Sequence, residues 1–137
     1  MVDRQSYYVG VKGIIRDSSG HVLILQDSGS KKWELPGGRI DRGGGIESSF
    51  AREITEEIKG ARLVHFGELV HAAQGDFFVE NLHKLLLLFY LVEIKLPKTI
   101  VLSQEHIASE WIDKQSLNKY EIYGTDKAAI NLVFSVT

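Results

Sequence analysis

The chain of 137 residues contains no cysteine, which excludes disulfides and thiolate metal sites. That absence fits a reducing cytoplasm, the compartment we expect. Proline occurs twice and methionine once, so no Pro-rich linker or Met-rich surface is present. The opening "MVDRQSYYVG" lacks an apolar signal-peptide core. The longest apolar run, Leu85–Val92 ("LLLLFYLV"), is far too short for a helix that spans a bilayer, and no membrane partner is expected. Formal net charge is only −2, which gives no global pull toward nucleic acid or an anionic membrane, and nucleic acid is not an expected partner. What remains is an ordinary globular composition, 44% hydrophobic and 25% charged, with length for one domain, 1–137, and a real core.

Periodicity divides the chain into strands and two helices. Tyr7–Arg16 and His21–Gln26 are rich in β-branched and aromatic residues, and the turn Asp17–Gly20 between them makes the pair read as a hairpin. Trp33–Leu35 is a short extended piece before Pro36-Gly37-Gly38. Ile46–Lys59 reads as a helix in which Ile46, Phe50, Ile54 and Ile58 form a drifting apolar stripe, with Gly60 as its C′ residue. Arg62–Ala72 and Lys84–Ile94 read as strands, separated by a loop or hairpin end over "QGDFFVEN". The leucine-rich second of these reads as a strand buried on both faces, although periodicity alone leaves a helix open. Ile107–Asp113 holds a short extended piece, Lys114–Leu117 starts a helical turn, and Thr125 or Asp126 caps a last helix to about Phe134. The layout points to an α+β fold, or three layers with a mixed sheet.

The helix after the Asp41–Gly45 loop is electrostatically awkward. Glu53, Glu56 and Glu57 share one face, because at 100° per residue Glu53 and Glu57 lie about 40° apart and Glu56 about 60° beyond Glu53. Like charges at these spacings repel by roughly 0.2–0.5 kcal/mol per pair. Two of them also sit near the helix C-terminus, where the dipole disfavours anions. A solvated acidic face is one reading. The other is a hard-cation site, because Mg²⁺ or Mn²⁺ takes oxygen ligands and turns the repulsion into attraction. Arg52 is the one cation near enough to orient a carboxylate.

Gly38–Gly60, "GRIDRGGGIESSFAREITEEIKG", resembles the Nudix box of the hydrolases of nucleoside diphosphates linked to a moiety X. That pattern runs G, five residues, E, seven residues, R-E-U-x-E-E-x-G-U, with U bulky and aliphatic. Gly38 matches its first glycine, and Arg52, Glu53, Ile54, Glu56 and Glu57 match its core without a gap. The preceding Trp33–Gly38 is similar to the usual lead-in. Two departures matter: Gly44 stands where the family has its first glutamate, and Lys59 where it has its late glycine, with Gly60 following one place later. The direction of Asp41, a nearby loop acid, cannot be read from the sequence.

The resemblance implies an α/β/α sandwich with a mixed sheet, the Nudix fold. It implies an enzyme, a pyrophosphohydrolase that uses Mg²⁺ or Mn²⁺ to cleave a pyrophosphate bond in a small nucleotide, nucleoside triphosphates or dinucleoside polyphosphates being favoured. Glu53, Glu56 and Glu57 would hold metal, with the Gly37 carbonyl as a further ligand. Arg52 would orient Glu53, and the general base would be Glu53 or Glu105, in "SQEHIASEWID". Gly37 and Gly38 would lie against substrate, and Phe77 and Phe78 would stack on a base; Tyr7, Tyr8 and Tyr123 are further stacking candidates. Lys12, Arg16, Lys31 and Lys32 read as solvated or as phosphate contacts, and His106 as structural or exposed. Gly44 leaves a second reading: a weakened domain that binds a nucleotide as a sensor or scaffold.

Overall fold

The computed structural model describes residues 3–79 and 83–136, and of residues 76–79 it describes the backbone alone. Its strands are β1 (Tyr7–Ile15), β2 (Val22–Asp27), β3 (Trp33–Glu34), β4 (Gly37–Arg39), β5 (Arg62–Val79), β6 (His83–Lys95) and β7 (His106–Ile112). Helix α1 covers Ile46–Glu57, α2 covers Gly124–Ser135, and Leu117–Lys119 forms a 3₁₀ turn. One sheet has the order β4-β1-β6-β5 and the other β3-β2-β7. In the larger sheet the β1–β6 pair is parallel and the β1–β4 and β5–β6 pairs are antiparallel, so that sheet is mixed. Among the described residues no helix is long and apolar enough to cross a membrane.

The strands lie between two apolar layers. Ile14, Val22, Ile24, Phe89 and Ile112 pack toward α2, with Ile130 and Val133. Val11, Ile15, Leu23 and Leu25 pack toward α1, with Phe50, Ile54 and Ile58. The alternation along β2, Val22 and Ile24 one way and Leu23 and Leu25 the other, is the period-2 signature of a strand buried on both faces. The expected α/β/α sandwich is therefore present. Phe50, Ile54 and Ile58 are fully buried and hold α1 in place by about 1.5–3 kcal/mol each. Ile46, at the start of the stripe, is exposed, because a four-residue spacing advances the face by about 40° at each step.

Several expectations are corrected. The first two strands part into different sheets and keep only an Arg16–Val22 bridge, so they are not a regular hairpin. Helix α1 stops at Glu57: Ile58 is extended and bridges Leu102. Gly60, at φ 83°, lies in the turn beyond and is not the C′ residue. The segment read as a loop or hairpin end at "QGDFFVEN" is not a loop in its described part: it carries β5 to Val79, with Phe78 opposite Lys84 in an antiparallel pair, and residues 80 and 81 lie outside the described residues. Four register shifts interrupt that long outer strand. Neither Thr125 nor Asp126 caps α2; Tyr123 precedes it, and the Asp126 carboxylate is buried elsewhere.

Candidate functional site

Helix α1 and the loop entering β7 meet at one cleft. Its volume is about 300 Å³, and Glu53, Glu56, Glu57, Ser103 and Glu105 line it. Four carboxylates therefore share one small space, including all three box glutamates and the candidate base. The loop is tied down on both sides. Ser103 N–H donates to the Glu57 carbonyl at 3.0 Å, and Ser28 N–H donates to the Glu105 carbonyl at 2.8 Å.

The glycines before the helix let these acids approach the sheet. Gly37 has φ 146°, a conformation disfavoured for side-chain residues, and its N–H donates to Glu57 Oε1 at 2.7 Å. A Cβ on Gly38 would come within 2.5 Å of Glu53 Cδ, so the Glu53 carboxyl lies directly on that backbone. Arg52 reaches three acids: Asp41 at 3.0 Å, Glu53 at 3.4 Å and Glu56 at 3.4 Å. Asp41 thus pairs with the arginine at the exposed edge of the site. Gly44 N–H donates back to the Asp41 carbonyl at 2.9 Å. A Cβ on Gly44 would meet Ser49 Oγ at 2.7 Å and Asp41 O at 3.2 Å. A loop carboxylate, Asp41, thus stands next to Arg52, one turn from Gly44.

Burial divides the glutamates. Glu56 is exposed, while Glu57 is 3% exposed. Burial pushes the Glu57 carboxyl up to about 8, against the opposing pull of Lys12, His106 and the Gly37 amide. Burial also raises Glu53, with Arg52 opposing. Behind Glu57 runs a row of buried ionisable groups. His106 Nδ1 lies 3.6 Å from Glu57 Oε2, and His106 Nε2 lies 3.1 Å from Glu34 Oε2. Lys12 Nζ donates to Glu34 Oε1 at 2.7 Å and to the Leu35 carbonyl at 3.0 Å, and lies 3.7 Å from Asp126. Asp126 in turn accepts Leu35 N–H at 2.8 Å. For Glu34, burial alone would raise the carboxyl, but the His106 hydrogen bond and Lys12 bring it down to about 2. For Lys12, burial is outweighed by Asp126 and Glu34, and its pKa rises.

This row is what sequence reasoning missed. Lys12 was read as solvated or touching phosphate, yet it is 9% exposed within a central strand. The usable signal was "VGVKGII", a lysine amid apolar residues, which a strand covered on both faces must bury with a partner. His106, read as structural or exposed, is buried. The row ends at a second cavity of about 850 Å³, lined by Lys12, Glu34, Leu85, Leu87, Tyr123 and Asp126 among others. Lys32 also lines it, with its ammonium 5.4 Å from the Tyr123 ring centre. Tyr7 bonds Gln74 and Tyr8 stacks on His83, both away from that lining. The side chains of Phe77 and Phe78 lie outside the described residues.

Asp27, Glu34 and His106 also offer ligand atoms within 4.8 Å of one another. A dication fits poorly there. Both Glu34 oxygens are engaged, Asp27 Oδ2 accepts Gly29 and Ser30 amides, and the Lys12 ammonium already balances the charge.

The NUDIX domain family matches residues 6–132, and the chain belongs to that family. A RNA pyrophosphohydrolase of Actinobacillus pleuropneumoniae serotype 5b (strain L20) is 34% identical over 58 residues, 42% of this chain and 28% of that protein. A second RNA pyrophosphohydrolase, from Shewanella piezotolerans, is 34% identical over 65 residues, 47% of this chain and 37% of that protein. The chain thus matches about a third of the length of these curated relatives. The crystal structure of a MutT protein from Methanosarcina mazei Go1 superposes with a TM-score of 0.80 at 20% identity, covering 98% of each chain, and shares the fold.

Proposed function

We propose that the chain is a pyrophosphohydrolase dependent on Mg²⁺ or Mn²⁺, acting on nucleoside triphosphates or dinucleoside polyphosphates. The observation that carries this reading is the convergence of Glu53, Glu56, Glu57 and Glu105 on one cleft beside Arg52. The donor set suits a hard dication: every charged group is a carboxylate, and one is buried at a cost that a cation would relieve. Ser103 Oγ and His106 Nδ1, both beside this cleft, are buried without hydrogen-bond partners.

In this reading Glu53, Glu56 and Glu57 hold the ion, with the Gly37 carbonyl as a further ligand. When bound, it stabilises charge on phosphoryl oxygens and favours ionisation of water. Arg52 orients Glu53, and Gly38, without a side chain, leaves that carboxyl its place. Glu105, from the pinned loop, accepts a proton from the attacking water at a carboxylate oxygen. The water oxygen bonds to phosphorus as the bridging P–O bond breaks, leaving two phosphate-terminated products. The larger cavity, with apolar walls of Leu85 and Leu87 and polar groups at Lys12 and Asp126, suits the nucleoside. The sensor reading rests on Gly44; Asp41 at Arg52 supports the catalytic one instead.

The test is a panel of nucleoside triphosphates, dinucleoside polyphosphates, nucleotide sugars and a 5′-triphosphate RNA oligonucleotide, with Mg²⁺ or Mn²⁺. Turnover of at least one, lost in Glu53→Gln, is expected. A folded protein that binds metal and turns over none would refute the enzyme.

A further inference from the structure

His106 is almost wholly enclosed, its side chain 3% exposed. Its Nε2 meets Glu34 Oε2 at 3.1 Å, and Glu34 is fixed through its other oxygen by Lys12 at 2.7 Å. The ring therefore cannot turn over without breaking a buried charged contact. Its other nitrogen, Nδ1, is buried and lacks a hydrogen-bond partner. It faces Glu57 Oε2 at 3.6 Å, just beyond bonding range, while Glu57 Oε1 is held by the Gly37 amide at 2.7 Å. A buried polar atom left unbonded is destabilising, and an apolar side chain would avoid it. A shift of roughly 0.5 Å in one carboxylate oxygen would complete the bond.

We infer that His106 is a positioning residue that sets the orientation of the Glu57 carboxylate. Glu34 and Lys12 lock the ring, the ring aims Nδ1, and Nδ1 with the Gly37 amide brackets Glu57 from two sides. Carboxylates hold metal-site histidines in a similar way, one shell out from the ion. The same residue fixes the neighbouring loop, because its own N–H donates to the Ser103 carbonyl at 3.2 Å, two residues before Glu105. The inference rests on Glu57 being a metal ligand, as proposed above.

Three variants separate the two ring nitrogens: His106→Asn, His106→Gln and His106→Phe. Asparagine places a polar atom near Nδ1 but cannot reach Glu34. Glutamine reaches toward Glu34 and leaves Glu57 Oε2 without the nitrogen that faces it, while Oε1 keeps the Gly37 amide. Mn²⁺ affinity is measured by calorimetry, kcat and KM at saturating Mn²⁺, and folding by circular dichroism. The Gln and Phe variants should lose about 10–100-fold in Mn²⁺ affinity, and Asn about threefold at most. Nucleotide KM should hold while kcat falls. In a Glu57→Gln background the Asn and Gln variants should bind Mn²⁺ alike. Equal losses in Asn and Gln with Glu57 intact, or full affinity in Phe, would overturn the positioning role while leaving the proposed enzyme standing. If Phe fails to fold, the Asn and Gln pair decides the matter. A wild-type protein that binds no Mn²⁺ would overturn both readings.

Discussion

Replacing Glu57 by glutamine should stabilise the metal-free protein. Glutamine keeps the shape and an oxygen for the Gly37 amide, now bonded at 2.7 Å, and removes the buried charge. The wild-type carboxyl is raised in the folded state from 4.5 to about 8. Its contribution to stability is therefore complete below pH 4.5 and is lost as pH rises toward 8. Full ionisation removes about 5 kcal/mol, of which about 3 kcal/mol is gone by pH 7. For a chain of this size about 3 kcal/mol is worth roughly 10 °C in Tm. Thermal unfolding followed by circular dichroism in EDTA, from pH 5 to 9, should show the variant's advantage growing with pH and levelling above 8. With Mg²⁺ added, wild type should gain stability and the variant little, narrowing or reversing the order. An advantage that does not change with pH, or a variant less stable at pH 8 without metal, would refute the assignment of a destabilising buried charge to Glu57.

Three further outcomes follow from the geometry. Asp41→Asn should leave stability within about 0.5 kcal/mol, because the Asp41–Arg52 pair is exposed, yet lower kcat; urea unfolding and steady-state kinetics check this. Gly38→Ala should displace Glu53, whose Cδ lies 2.5 Å from the new Cβ position, and weaken Mn²⁺ binding measured by calorimetry. Lys12→Met should cost about 3–5 kcal/mol in urea denaturation, because Glu34 and Asp126 lose their buried cation.

The layered architecture and the acidic cleft were legible because both follow from local pattern. The β-branched and apolar run in "HVLILQ" marks a strand, and the spacing of Glu53, Glu56 and Glu57 puts them on one side of a helix. What was hidden depends on pairing between distant segments. The row from Asp126 through Lys12, Glu34 and His106 to Glu57 joins five elements, and no spacing along the chain announces it. Asp41 was ambiguous for a related reason: a loop carboxylate takes its direction from the turn that Gly44 closes. The extension of β5 to Val79 was missed because Gly75 and Asp76 are poor strand formers, and pairing with β6 overrides that preference.

The outer position of β5 has a consequence for self-association. An 18-residue strand at the margin of a sheet offers a row of backbone donors and acceptors to any other chain. Here the row is broken: register shifts occur between Leu63 and His65, Phe66 and Leu69, Leu69 and His71, and Gln74 and Phe78. Each dislocation bends and twists the ribbon, so no long flat stretch is available for a second strand to zip onto. The irregular pairing that makes β5 hard to read is thus also a guard against edge-to-edge aggregation.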